Sequence, residues 1–330
     1  MPASAEPSPH PFTVGETPAP YREPEPSSGP TDDPAETGST DDPAETGSTT
    51  RRSRRKGGYP PLPQPLPVPV IDNHTHFDFR DGAVEVSVGE ALDVAAAAGV
   101  GGAVQVGTDL ASSRLTAAVV EQDARLLGAV ALHPNEAPLL AEAGTLDDAL
   151  GEIEELASGE RVRALGETGL DYFRTGEDGR GSQLLSFRSH LDIAKRLGKA
   201  LQIHDRDAHD DVVATLLADG APDRVVLHCF SGDAALARRC NEQGWYMSFA
   251  GTLTFRNAAN LREALLVADP ALVLVETDAP FLTPHPYRGR PNASYVMPAT
   301  VRAMAELLDT ELDALCARLT RNTEAVYGTW

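Results

Sequence analysis

Val68-Pro69-Val70-Ile71-Asp72-Asn73-His74-Thr75-His76 is a short apolar run that ends in two histidines. A doubly wound sheet more often follows its first strand with a glycine-rich phosphate loop. This run ends instead in ligand-type side chains, which points to a barrel whose chemistry sits at its strand ends. Positions i and i+2 of an extended chain face one side, so His74 and His76 can reach a single cation.

Outward from this stretch, short β-rich runs alternate with Ala/Leu-rich helical ones. The pattern predicts strands near 68–73, 102–107, 126–132, 162–166, 200–203, 224–228, 245–249 and 271–276. Helices are expected near 88–98, 111–122, 145–158, 182–198, 207–218, 233–242, 257–267 and 295–308, with a further helical stretch at 310–326. Eight βα units in succession predict an α/β chain folded as a (β/α)₈ TIM barrel over residues 69–330.

Four more strand ends carry the same residue types. Glu167 closes the run 162–166, His204 the run 201–203 and His228 the run 225–227, and Asp278 follows 274–277. In a TIM barrel the carboxyl ends of the strands meet on one face. Four imidazoles and two carboxylates gathered there would hold two divalent cations, and this donor set suits magnesium, manganese or zinc. Glu167 can bridge, since each of its oxygens can take one cation. Asp278 can ligate and can accept a proton from the attacking water. These two are the expected catalytic residues. His133 is expected to line the pocket, and His190 and His209 to be ordinary surface residues. The expected substrate contacts are Tyr172 and Arg206, close to two of the ligands, with Arg288 and Arg290 after strand eight as a phosphate clamp.

Residues 1–68 are unlike the rest. Pro, Glu, Ser, Thr and Gly dominate, and DDPAETGST is written twice, at 32–40 and 41–49. Such a segment cannot bury enough apolar surface to offset its ordering entropy, so a disordered tail is expected. The basic cluster 51–56 reads as a solvated charge run, and the proline-rich 60–67 as an extended spacer.

The chain carries 28 Lys+Arg against 49 Asp+Glu, a formal charge of −21. That argues against a protein that coats duplex nucleic acid through a basic stripe, but not against a nucleic-acid substrate, because a metal can supply positive charge locally. Three cysteines without a C-x-x-C fit reduced thiols and a cytoplasmic location. No run approaches the ~18 apolar residues of a membrane span, and the first residues lack the pattern of a signal peptide.

Five blocks resemble the TatD family of metal-dependent hydrolases. They are IDNHTH at 71–76, LGETGLDY at 165–172, QIHDRDA at 202–208, LHCFSG at 227–232 and ETDAPFLTP at 276–284, the last extended by PYRGR at 286–290. The resemblance implies a TIM barrel with a two-metal site and deoxyribonuclease activity. It implies His74, His76, Glu167 and Asp278 around one cation, and Glu167, His204 and His228 around the other. Phosphodiester cleavage would then use a metal-bridging hydroxide. The acidic surface adds a preference for DNA ends or short single strands, hence exonuclease rather than processive endonuclease behaviour, and the deoxyribonuclease that the resemblance implies is expected to be 3′–5′ exonuclease-like. No membrane and no obligate protein partner is expected. Two departures from the family pattern lie outside the ligand set. Asn135 stands where a second histidine is frequent, and Ala293-Ser294 follow Asn292 where Glu-Pro is usual. The alternative is another barrel metallohydrolase acting on an ester, lactone, amide or aminoacyl-tRNA bond. Such enzymes often bridge their metals with a lysine at strand four, where Glu167 stands here. A catalytically idle binding module would have lost ligands, and this set is intact.

Overall fold

In the computed structural model, which describes residues 11–23, 57–79 and 84–330, eight strands pair in parallel in chain order. They are β1 (Val70–Thr75), β2 (Val100–Val106), β3 (Leu126–Val130), β4 (Val162–Asp171), β5 (Ala200–Arg206), β6 (Val225–Leu227), β7 (Tyr246–Phe249) and β8 (Val273–Val275). The ring closes just past β8. There the Asp278 N–H donates to the His74 carbonyl at 2.9 Å and the His76 N–H to the Ala279 carbonyl at 2.8 Å. The expected TIM barrel is the observed fold.

The helices are α1 (Val88–Ala97), α2 (Leu110–Val119), α3 (Ala137–Glu142), α4 (Leu146–Ala157), α5 (Glu177–Leu197), α6 (His209–Asp219), α7 (Ala234–Gln243), α8 (Ala259–Val267), α9 (Met297–Leu307) and α10 (Leu312–Tyr327). Only α3 is an addition to the expected set. At 6 residues it is too short to display a helical period. Side-chain caps start three of the others. Ser87 and Glu90 form a capping box on α1, Asp109 and Ser112 another on α2, and Asp233 accepts from the Ala235 and Leu236 N–H groups at the start of α7.

Strand alternation sorts the apolar residues into two layers. Val104, Val106, Leu127, Ala129, Ala164, Ala200, Val226 and Leu274 form one buried cluster with Val326 and Tyr327 of α10, which fills the barrel interior. Residues out of phase with these, such as Leu165, Leu201 and Val225, pack with Phe187, Leu191 and Leu216 of the surrounding helices. The interior columns continue upward into polar residues. Two positions beyond Val226 stands His228, two beyond Leu274 stands Glu276, and two beyond Gln202 stands His204. The period of two thus aims these side chains into the mouth.

His190 is not the surface residue expected. It is fully buried on α5, with its Nδ1–H donating to the Ser186 carbonyl at 2.7 Å and its Nε2 accepting from the Leu132 N–H at 3.1 Å. The bond accepted at Nε2 requires the neutral ring, and burial lowers its pKa from 6.5 to about 4. A folded pKa below the unfolded one means that the stability His190 supplies is complete above 6.5 and is lost as pH falls through that window. About 2 kcal/mol should disappear between pH 7 and pH 5. Thermal melts across that range should show the loss, and His190→Gln should show a smaller one. Equal slopes for the two proteins would contradict the assignment. His209, by contrast, is partly exposed, with Nδ1 2.7 Å from Asp205.

Part of the stretch expected to be disordered packs on the barrel. A 3₁₀ turn at Ala19–Tyr21 and the extended residues 57–69 form a strap. The Gly15 N–H donates to the Leu62 carbonyl at 2.9 Å, and the Leu62 N–H to that of Glu16 at 2.8 Å. Tyr21, Tyr59, Leu62 and Leu66 are buried, and the Tyr21 ring lies 4.6 Å from Tyr59 and 5.0 Å from Tyr295. The average composition of the segment concealed these few large side chains at its two ends. The duplicated nonapeptide and the basic cluster 51–56 lie outside the described residues. No helix among the described residues is long and apolar enough to cross a membrane.

Candidate metal centre

The six ligand-type residues predicted from strand ends converge at the carboxyl-terminal mouth. Oε2 of Glu167 lies 3.6 Å from Nε2 of His74 and 3.8 Å from Nε2 of His76, while its Oε1 lies 2.5 Å from Nδ1 of His204 and 2.9 Å from Nε2 of His228. One carboxylate therefore turns one oxygen toward each histidine pair. Asp278 completes the first pair, its Oδ1 standing 3.5 Å from Nε2 of His76 and 3.8 Å from Nε2 of His74. Its φ of 51° is a left-handed conformation that costs a non-glycine residue energy, and it occurs where the chain turns out of the barrel after β8. Below it, Asp72 accepts from the Thr277 hydroxyl at 2.6 Å and the Thr277 N–H at 2.9 Å, pinning that turn.

Among the described residues, four sets of three side chains place potential ligand atoms within 4.8 Å of one another. Hydrogen bonding reduces them to two. Nδ1–H of His76 donates to the Val106 carbonyl at 2.9 Å, and Nδ1 of His228 lies 3.2 Å from the Glu276 carboxylate. Both rings thus turn Nε2 to the centre, where each can ligate a cation in place of a proton, the usual arrangement when a second partner orients a ligating histidine. Glu276 is that orienting partner. His133 behaves oppositely. Its Nδ1 accepts from the Asn135 N–H at 3.1 Å, which leaves the hydrogen on Nε2, 3.6 Å from Glu167. It offers a donor, not a lone pair, and so lines the pocket as expected. The sets that remain are His74, His76 and Asp278, and Glu167, His204 and His228.

Nε2 of His74 and Nε2 of His76 are 3.2 Å apart, an approach that requires a positive charge or a shared proton between them. Within the pair, burial and His228 lower the pKa of His74, while that of His76 is raised, against its burial, by Asp278 and Glu167. Burial opposes charge on Glu167, yet the His228 and His133 rings and the bonds from His204 and His228 hold its carboxyl well below 4.5. Burial also opposes charge on His228, yet Glu167 and Glu276 push it well above 6.5. Burial and the neighbouring His204 lower His133 to about 3. Ionised carboxylates thus draw positive charge into a buried centre, and the donor set fits divalent metals.

A cavity of about 470 Å³ opens over these residues, within the usual range for a small-ligand site. Arg206 lines it, as expected, and so does Arg174, which no motif had marked. The other three predicted substrate contacts are not among its lining residues. The Tyr172 hydroxyl donates to Asp211 at 2.6 Å, and Arg180 covers its ring at 4.0 Å. The Arg288 guanidinium lies 4.3 Å over the Phe255 ring. Arg290 donates to the strap carbonyls of Gly58 at 2.7 Å and Tyr59 at 3.2 Å. Partners remote in sequence have taken up the side chains that a reading of the loop alone assigned to phosphate. Asn135, the first departure from the family pattern, donates to Asp171 at 3.1 Å beside the cavity.

A family model described as TatD related DNase matches residues 71–328, so the strap lies before the match. A Mycobacterium tuberculosis protein, named an uncharacterized metal-dependent hydrolase TatD, is 45% identical over 263 residues, which cover 78% of this chain and 98% of that protein. YabD of Bacillus subtilis, likewise named an uncharacterized metal-dependent hydrolase, is 32% identical over 260 residues, 78% of this chain and 98% of that one. Among solved structures, YjjV, a TatD homologue from Escherichia coli K12, superposes with a TM-score of 0.70 at 28% identity, covering 79% of this chain and 98% of that chain.

Proposed function

The chain belongs to the family of TatD-related DNases and is a metal-dependent hydrolase, and from that premise we propose that it is a two-metal deoxyribonuclease acting on 3′ ends and short single strands of DNA. The observation that carries this reading is the placement of Glu167, one oxygen to each histidine pair. His74, His76, Glu167 and Asp278 would hold one divalent cation, and Glu167, His204 and His228 the other. When bound, such a pair supplies Lewis acidity and lowers the pKa of water from 15.7 to about 7.

The remaining work falls to side chains. Asp278 is more open to the cavity than Glu167, with 13% against 6% of the side chain exposed, and accepts the proton of the attacking water at Oδ2, its Oδ1 being the oxygen beside the histidine pair. His133 donates from Nε2 to a nonbridging phosphate oxygen as charge grows there. Arg174 and Arg206 orient the phosphate. This pair of cations in an otherwise acidic chain favours an anionic substrate over a lactone or a neutral ester. With a net charge of −21, the enzyme grips few phosphates at once, which favours termini over extended duplex. A cytoplasmic location belongs to the same reading, supported by three unbridged cysteines.

Chelator-treated protein should be inactive on labelled oligonucleotides and recover with magnesium, manganese or zinc, with two cations per chain by elemental analysis. Hydrolysis of a lactone, an acyl ester or charged tRNA with no cleavage of any oligonucleotide would reject the nuclease.

A further inference from the structure

Phe173 is 63% exposed, more than any other large apolar side chain among the described residues. It stands in the loop between β4 and α5, two residues past Asp171. The guanidinium of Arg206 lies over its ring, 3.8 Å from the centroid. Arg206 and Arg174, the residue after Phe173, both line the catalytic cavity. The loop is tightly held. The Phe173 and Arg174 N–H groups both donate to Oδ1 of Asp171, at 3.1 and 2.9 Å. Oδ2 of the same carboxylate lies 3.3 Å from Nε2 of His204 and accepts from Asn135. One acid therefore fixes the aromatic ring and its cation relative to a histidine of the centre.

We infer that Phe173 is a stacking platform for the nucleobase next to the scissile phosphate, with Arg206 backing the ring and Arg174 beside the phosphate. The inference rests on the nuclease reading and narrows its substrate to nucleic acid whose terminal base is unpaired. An exposed aromatic ring beside a phosphate-binding cleft offers a face that any base can cover, and a base held in a duplex has no free face to offer. A guanidinium already stacked on one side holds the ring in place. Loss of one such base contact weakens binding by about 10-fold to 100-fold.

The metal-loaded full chain, Phe173→Ala and Phe173→Trp can be compared on a single-stranded oligonucleotide and on the same strand with abasic sites at its last two positions. For the wild type, KM should rise about 10-fold or more on the abasic strand. Phe173→Ala should show that rise on the normal strand and little further change on the abasic one, and Phe173→Trp should restore the low KM. With the metal-loaded chain and a strand whose terminal linkages are nonhydrolysable phosphonates, fluorescence of a terminal 2-aminopurine should fall on binding, and the fall should be absent in Phe173→Ala. A wild type indifferent to the abasic sites, an unchanged KM in Phe173→Ala, or no quenching would overturn the platform while leaving a nuclease. No cleavage of either strand by the loaded wild type would remove the nuclease reading and the platform with it.

Discussion

Glu167→Gln should lower turnover by roughly 10³-fold or more, the scale on which removal of a preorganised electrostatic group is felt, and should leave the barrel folded. Glutamine keeps the shape but not the symmetry of the carboxylate. One end remains an acceptor and the other becomes an NH₂ donor, so the side chain can ligate on behalf of only one of the two histidine pairs it faces. The site also loses a unit of negative charge among imidazoles that sit 2.5 to 3.8 Å away. Nothing in the strand pairing depends on that charge, because β4 and β5 are held by backbone register on both sides of it. Activity on labelled oligonucleotides, metal content and a thermal melt together test this. The expected outcome is loss of at least one cation per chain with a melting temperature within a few degrees of wild type. A variant that keeps both cations and most of its rate would refute a bridging role for Glu167.

Gly169→Ala is expected to fail the other way, through the fold. Gly169 has a φ of 141°, a conformation that L side chains rarely adopt, and a Cβ built on it would fall on the carbonyl oxygen of His204. The two residues are register partners between β4 and β5. His204 has little room to retreat, since its ring meets Glu167 on one side and Asp171 on the other. Backbone strain and overpacking of this kind cost about 1–3 kcal/mol each. At roughly 2–4 °C per kcal/mol for a domain of this size, the melting temperature should fall by about 10 °C. Because β4 and β5 carry Glu167 and His204, metal content should fall with it. An unchanged melt would show that the two strands do not pair in this register.

The fold and most of the site were legible because both obey short periods. Histidine and carboxylate at i and i+2 of a strand end declare a shared face, and the apolar runs beneath them declare the strand. Glu276 follows the same rule, two positions past Leu274, but Asp278 stands two positions further along the same column, and the pattern alone does not say which carboxylate faces the cation and which a histidine. His190 was legible too. It lies on the stripe Phe187, Leu191 and Ala194 of α5, a buried helical face, and that stripe outweighs the surface preference of a lone histidine in a helix. What could not be read were choices between remote partners. Arg290 meets carbonyls 231 and 232 residues away, and no local pattern announces such a contact. The strap was hidden in the same way, since Tyr21 is buried by Tyr295, which lies far off in sequence.

The two pieces of the strap are fastened to each other as well as to the barrel, which sets the Tyr21 ring 4.6 Å from Tyr59. Both copies of DDPAETGST lie between these two pieces in sequence. Because closing a chain of such composition costs free energy only as the logarithm of its length, dropping one copy would alter folding by about 0.3 kcal/mol. The number of repeats is thus nearly invisible to the stability of the barrel.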